Sequence, residues 1–96
     1  MKRCSVYILA SQKHGALYVG FTGDLARRAW EHGEGLVEGF TKTYDVKQLM
    51  HFEMFDEPEP AIRREKSLKT WPRDWKVDPI ERDNPDWAGL YSALTR

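Results

Sequence analysis

A single cysteine, Cys4, occurs in the 96 residues. That excludes an internal disulfide framework and a structural zinc centre built on several thiolates. The three histidines, at positions 14, 32 and 51, lack the spacing of a metal motif. No stretch approaches 18 consecutive apolar residues, and the chain does not open on an apolar leader-like segment. Neither a membrane span nor a secretory signal is therefore expected, and the expected location is the cytoplasm. Internal repeats and low-complexity tracts are absent as well. Nor is there an excess of either charge: 15 Lys and Arg balance 15 Asp and Glu. The total does not advertise a strongly basic nucleic-acid binder.

What is present suits one folded unit. The hydrophobic fraction is 41%, with four Trp, four Tyr and four Phe, a globular composition and not that of a disordered tail. Residues 1–96 are expected to form one domain with a single small core. The neutral total hides local bias. Residues 63–76 (RREKSLKTWPRDWK) hold six Lys and Arg against Glu65 and Asp74, whereas residues 77–96 hold four acids against Arg82 and Arg96. Such a basic block either faces phosphate or is the solvated side of a helix, and charge alone favours the solvated side.

SVYILA (5–10) has a strand's composition. Alternation sends Val6, Ile8 and Ala10 one way and Ser5, Tyr7 and Leu9 the other. SQKHG (11–15) is a polar turn. ALYVGF (16–21) is a second strand, with Leu17, Val19 and Phe21 on one face and Tyr18 and Gly20 on the other. A four-residue loop at 11–14 pairs 10 with 15, and so Tyr7 with Tyr18. A slip by two in the pairing sum keeps both phenols on one face; a slip by one does not. An ordinary aromatic cross-strand pair also explains the placement.

Thr22 or Asp24 caps a helix over about 24–34. Leu25, Ala26, Ala29 and Trp30 form its apolar stripe, and Arg27, Glu31 and Glu34 point to solvent. Arg28 and His32, one turn apart, share the flank of the stripe. Structural roles exist for both: an ion pair with Asp24 for Arg28, and a helix-end position for His32. GEGLVEGFTKTYD (33–45) reads as a long connection and QLMHFEMF (48–55) as a third strand. EPEP (57–60) opens a helix over about 59–71. Its inner stripe is Ala61, Ile62, Leu68 and the stem of Lys69, with Glu65 in the middle. A carboxylate on a core-facing stripe is costly unless paired or bound to a cation. Glu65 is thus either half of a buried Glu–Arg pair or a functional group. Beyond Pro72, the prolines at 79 and 85 are expected to break the chain into short pieces. Trp75, Ile80, Trp87, Leu90 and Tyr91 would pack those pieces back onto the domain.

A strand with Tyr, a strand with Tyr-x-Gly, a helix with Arg and His, and a later helix with an inward Glu together resemble the GIY-YIG nuclease superfamily. Val6-Tyr7-Ile8 carries the first half-motif and Tyr18-Val19-Gly20 the second, with ten residues between the tyrosines. Arg28 follows Tyr18 by ten and His32 follows Arg28 by four. AIRREKSLK supplies Glu65 at the metal-binding position. The phrases LYVG, DLARRAWEH, AIRREK and NPDW resemble the small stand-alone bacterial members, and the match runs from about Ser5 to Tyr91. Two departures are visible. Ser5 replaces the first Gly. Where many family nucleases carry an Asn after the metal-binding helix, this chain reads Trp75-Lys76-Val77, and its only asparagine, Asn84, lies farther on.

The resemblance implies an α/β (α+β) fold: a three-stranded antiparallel sheet flanked by helices. The motif core would cover about 5–76, with a C-terminal extension, 77–96, packed on it. It implies a phosphodiesterase using one divalent ion, Mg²⁺ or Mn²⁺, held by Glu65. Tyr7 would act on the attacking water, His32 would position or deprotonate Tyr7, and Tyr18 and Arg28 would hold the scissile phosphate. Arg64, Lys69, Arg73 and Lys76 are the candidate backbone contacts, Lys76 standing in for the missing Asn. No sequence-reading module accompanies the motif. The expected activity is a metal-dependent endonuclease of low sequence specificity that selects structure, with DNA ahead of RNA and a protein partner for targeting. The alternative is a nucleic-acid-binding module that turns over poorly.

Overall fold

The structure, a computed structural model, describes residues 3–94. Two strands, β1 (Cys4–Ala10) and β2 (Leu17–Thr22), are followed by helix α1 (Leu25–Gly33) and the single turn α2 (Phe40–Thr43). Strand β3 (Gln48–Phe55), α3 (Pro58–Thr70), α4 (Arg73–Asp83) and the short α5 (Tyr91–Leu94) complete the chain. The sheet is antiparallel throughout, in the order β2-β1-β3. This is the α+β arrangement expected from the sequence, with β3 at the expected bounds. The span 33–45 differs from its expectation as a plain connection, because α2 forms within it.

β1 is central and buried along its whole length, so its two faces define two layers. Val6, Ile8 and Ala10 join Val19, Met50, Ala61, Leu68, Ile80 and Trp87 on the α3–α4 side. Tyr7 and Leu9 join Leu25, Ala29, Val46 and Leu49 on the α1 side. The hairpin register departs from the expectation. Tyr7 faces Gly20 and Leu9 faces Tyr18, so the pairing sum is larger by two. The longer turn is closed by Ser11 N–H donating to the Ala16 carbonyl at 3.0 Å. A slip of two preserves the faces, so both phenols still point to the α1 side.

Asp24 is the N-cap of α1, its side chain accepting from Arg27 N–H at 3.2 Å. Buried positions on this helix are Leu25, Ala29 and His32, while Ala26 and Trp30 are exposed. The expected stripe is therefore rotated by about one residue. Spacing of four and three gives a narrow contact line on the sheet, and it turns Arg28 and His32 inward at the expense of Trp30.

α4 runs through Pro79, where a break was expected. Proline in a helix interior sacrifices one hydrogen bond; here Pro79 and Ile80 are both buried against the core, which offsets that loss. The helix does end before Pro85, at its C-cap Asn84. Asn84 is buried, donating to the carbonyls of Met50 (3.1 Å) and Ala88 (2.9 Å) and accepting from Ala88 N–H (3.0 Å). The tail then wraps the β3 edge. Trp87 packs on the α3–α4 side and Leu90 and Leu94 on the α1 side, with Leu90 N–H donating to the Leu49 carbonyl. Ile80, Trp87 and Leu90 thus pack as expected, whereas Trp75 is largely exposed and Tyr91 partly so. Among the described residues, no helix is long and apolar enough to cross a membrane.

Candidate active site

Tyr7 lies flat against the backbone of β2 at Gly20. A Cβ on Gly20 would stand 2.4 Å from both Cζ and the hydroxyl oxygen of Tyr7. The glycine of the second half-motif is therefore the space that the tyrosine of the first one occupies.

Around that phenol the α1 side of the sheet gathers three rings. Tyr7 and Tyr18 have centroids 6.3 Å apart, Tyr7 and His32 5.8 Å, and Tyr18 and His32 5.6 Å. The Tyr7 hydroxyl and His32 Nε2 share a hydrogen bond of 3.2 Å. Both residues are 2% exposed. Burial pushes the Tyr7 phenol up to about 12, with Tyr18 and Glu65 adding to the rise and a hydrogen bond from Arg28 opposing it. Burial also lowers His32 below its ordinary value, and the Arg28 charge lowers it further. At neutral pH the pair is thus a neutral phenol beside a neutral imidazole. Such an imidazole can accept the phenolic proton on Nε2 while Nδ1 carries its own. His32 Nδ1 is the one buried side-chain polar atom without a partner among the described residues.

Arg28 supplies the positive charge. Its side chain is 41% exposed and pairs with Glu31 at 3.2 Å; hydrogen bonding to Glu31, and then to Tyr7, holds its pKa above the usual value. The ion pair with Asp24 considered from the sequence does not form, because Asp24 caps the helix. Arg27 lies at the surface, as expected.

Glu65 comes from α3, on the far layer. Its side chain is 17% exposed and pairs with Lys69 Nζ at 2.7 Å. Its charge nonetheless reaches Tyr7, helping to raise that phenol's pKa. A Glu–Arg pair does exist, but on the neighbouring strand: Arg64 donates to both carboxylate oxygens of Glu53, at 2.8 and 3.0 Å. Among the described residues, no group of three or more His, Cys, Asp or Glu side chains is arranged to hold a metal ion. A lone, half-buried carboxylate suits a hard cation that keeps most of its waters and takes the rest of its ligands from phosphate; it does not suit zinc.

Tyr7, Tyr18, Arg28 and His32 are therefore brought together, with Glu65 in electrostatic reach. The four candidate backbone contacts are more dispersed in their engagements. Arg64 is bound to Glu53 and lies 5.0 Å from the Trp71 ring centroid. Lys69 is on Glu65, Arg73 donates to the Gly15 carbonyl in the hairpin turn, and Lys76 is half-buried on α4. Asn84 is committed to backbone groups and offers nothing to a phosphate. A second polar cluster lies on β3 outside this site: His51 bonds Glu53 at 2.9 Å. Hydrogen bonding from His51, and then from Arg64, holds Glu53 down at about 2 against the upward push of burial. Strand alternation puts His51 and Glu53 on one face of β3, but Arg64 joins them only because α3 packs beside β3.

Comparison with known proteins converges on the same motif. A family model described as the GIY-YIG catalytic domain matches residues 3–78. A UPF0213 protein of Staphylococcus saprophyticus is 35% identical over 80 residues, covering 83% of this chain and 96% of that one. A UPF0213 protein of Haloquadratum walsbyi is 38% identical over 76 residues, covering 79% and 84%. The solution NMR structure of a UPF0213 protein from Bacillus halodurans superposes with a TM-score of 0.56 at 28% identity, covering 88% of this chain and 89% of that one. The matched span contains both tyrosine half-motifs, Arg28, His32 and Glu65, and on that ground the chain belongs to the GIY-YIG catalytic domain family, a family of nucleases acting on nucleic acid.

Proposed function

We propose that this protein is a divalent-metal-dependent endonuclease that cuts DNA of particular structure with little sequence preference. The observation that carries the reading is the buried Tyr7–His32 hydrogen bond, with Tyr18 and Arg28 on the same face and the Glu65 charge within reach. A phenol near 12 is a poor base at neutral pH. His32, kept neutral, would take the Tyr7 proton as Tyr7 takes one from water, so the relay would bypass the high value. The Arg28 guanidinium and the Tyr18 hydroxyl would hold phosphate oxygens and stabilise the charge that develops there. Glu65 would hold one Mg²⁺ or Mn²⁺, and when bound that ion supplies further positive charge at the phosphate. Lys76 and Arg73 would add non-specific backbone contacts, and a protein partner would supply targeting. A cytoplasmic location goes with this reading.

One observation favours a second reading, a nucleic-acid-binding module with poor turnover: Lys69 already neutralises Glu65. Purified wild type and Tyr7→Phe, tested in Mg²⁺ and Mn²⁺ on duplex, single-stranded, flapped and branched DNA and on RNA, separate the two. The nuclease reading expects wild-type cutting of at least one structured DNA, reduced roughly 10²–10⁴-fold in Tyr7→Phe. Binding without cutting by wild type favours the module.

A further inference from the structure

The junction of α3 and α4 holds an open cleft of about 410 Å³ lined by Trp71, Asp74, Trp75 and Asp78. It is remote in kind from the phosphate site, since its charged wall is acidic. Trp75 is 59% exposed, the most exposed tryptophan of the described chain, and nothing in the core uses it. Its ring meets Trp71 edge-on, with centroids 6.0 Å apart at 76°. Trp71 already acts as a cation acceptor in this fold, because the Arg64 guanidinium lies 5.0 Å from its centroid. Arg64 does not line the cleft, so the indole surface there is a separate one. Asp78 is shared with Arg82 at 2.6 Å, whereas Asp74 makes no ion pair among the described residues. The cleft thus offers two indoles and, in the first turn of α4, the Asp74 carboxylate without an ion-pair partner.

We propose that this cleft binds the guanidinium of an arginine side chain presented by a protein partner. Indole faces attract cations, and a carboxylate beside them accepts the forked N–H donors of a guanidinium. The guanidinium is planar and more weakly hydrated than an ammonium, so it stacks on indole where lysine would stay solvated. One uncompensated carboxylate matches a monocation and not a free polyamine. Asp74 and Asp78 are the charged side chains lining the cleft, so they disfavour a phosphate inside it, while the neighbouring Arg73 and Lys76 lie outside its lining. The inference does not depend on catalysis.

The test is a ¹H–¹⁵N titration of the full chain, following the indole N–H signals. The probe is acetyl-Gly-Arg-Gly-amide; its lysine and glutamine counterparts, spermidine and an oligothymidylate are the comparison arms. Selective movement of the Trp71 and Trp75 signals by the arginine peptide is expected, with Trp30 and Trp87 still. The lysine peptide should bind at least about threefold more weakly, and the glutamine peptide should leave the signals unmoved. Trp75→Ala and Asp74→Asn, both at exposed positions, should each weaken the arginine peptide about fivefold or more. Tighter binding of spermidine or of oligothymidylate than of the arginine peptide at these indoles, or no movement with the arginine peptide, would overturn the proposal.

Discussion

Replacing Gly20 by alanine places a methyl group 2.4 Å from the Cζ and hydroxyl oxygen of Tyr7, where ordinary contact begins near 3.4 Å. The ring has to move by about 1 Å, and it has little room. Tyr7 is packed among Leu9, Leu25, Ala29, Val46 and Leu49, and its hydroxyl is bound to His32. Overpacking of this kind costs about 1–3 kcal/mol, of which roughly 0.5–1 kcal/mol is returned by the lower chain entropy of alanine. The net loss, up to about 2.5 kcal/mol, lowers the Tm by roughly 4–8 °C per kcal/mol in a domain of this size. Function should suffer more than stability, because a displacement of 1 Å at a reacting group costs about 10²-fold in rate. Gly33→Ala is the control: nothing lies within 4 Å of its Cβ, and helix propensity gives a gain of up to about 1 kcal/mol. The assay is thermal unfolding of both variants, with the His32 ring signals and the cleavage rate followed in parallel. Gly20→Ala with wild-type Tm and unshifted His32 signals would refute the contact.

Two further outcomes concern the frame around the site. Glu53 sits at about 2 in the folded protein against 4.5 as its ordinary value. Its contribution is thus present above about pH 4.5 and lost as pH falls toward 2, at most about 3 kcal/mol; Glu53→Gln should flatten the fall of Tm with acid over that range. Asn84→Ala removes three hydrogen bonds to backbone groups, including the one to the buried Met50 carbonyl, so urea unfolding should show a loss of about 1–3 kcal/mol, while cleavage per folded molecule stays at the wild-type rate.

The site was legible in the sequence where it depends on periodicity. Alternation put Tyr7, Tyr18 and Gly20 on one face even though the hairpin register was off by two, because strand period tolerates that slip. The helical period placed Arg28 next to His32, and the misfit of Glu65 on an apolar stripe marked it. Legibility failed where partners come from elsewhere in the chain. Hydrophobicity alone puts Trp30 in the core, yet the sheet accepts only Leu25, Ala29 and His32. Pro79 reads as a breaker because its local cost is visible in the sequence and the burial that offsets it is not. Of the His51–Glu53–Arg64 cluster, strand alternation shows only His51 and Glu53 on one face of β3, and Arg64 joins them only through the fold. Asn84 is the only asparagine in the chain, and only the fold shows that its amide is consumed by Met50 and Ala88.

The most direct measurement is Mg²⁺-dependent cleavage by wild type and Glu65→Ala prepared identically, with DNA affinity measured on the same samples. Cutting by wild type, loss of cutting in Glu65→Ala, and affinity kept or improved is the expected result. Equal cutting by the two proteins, or no cutting of any substrate by folded wild type, would contradict the assignment of this face as a metal-assisted phosphodiesterase site.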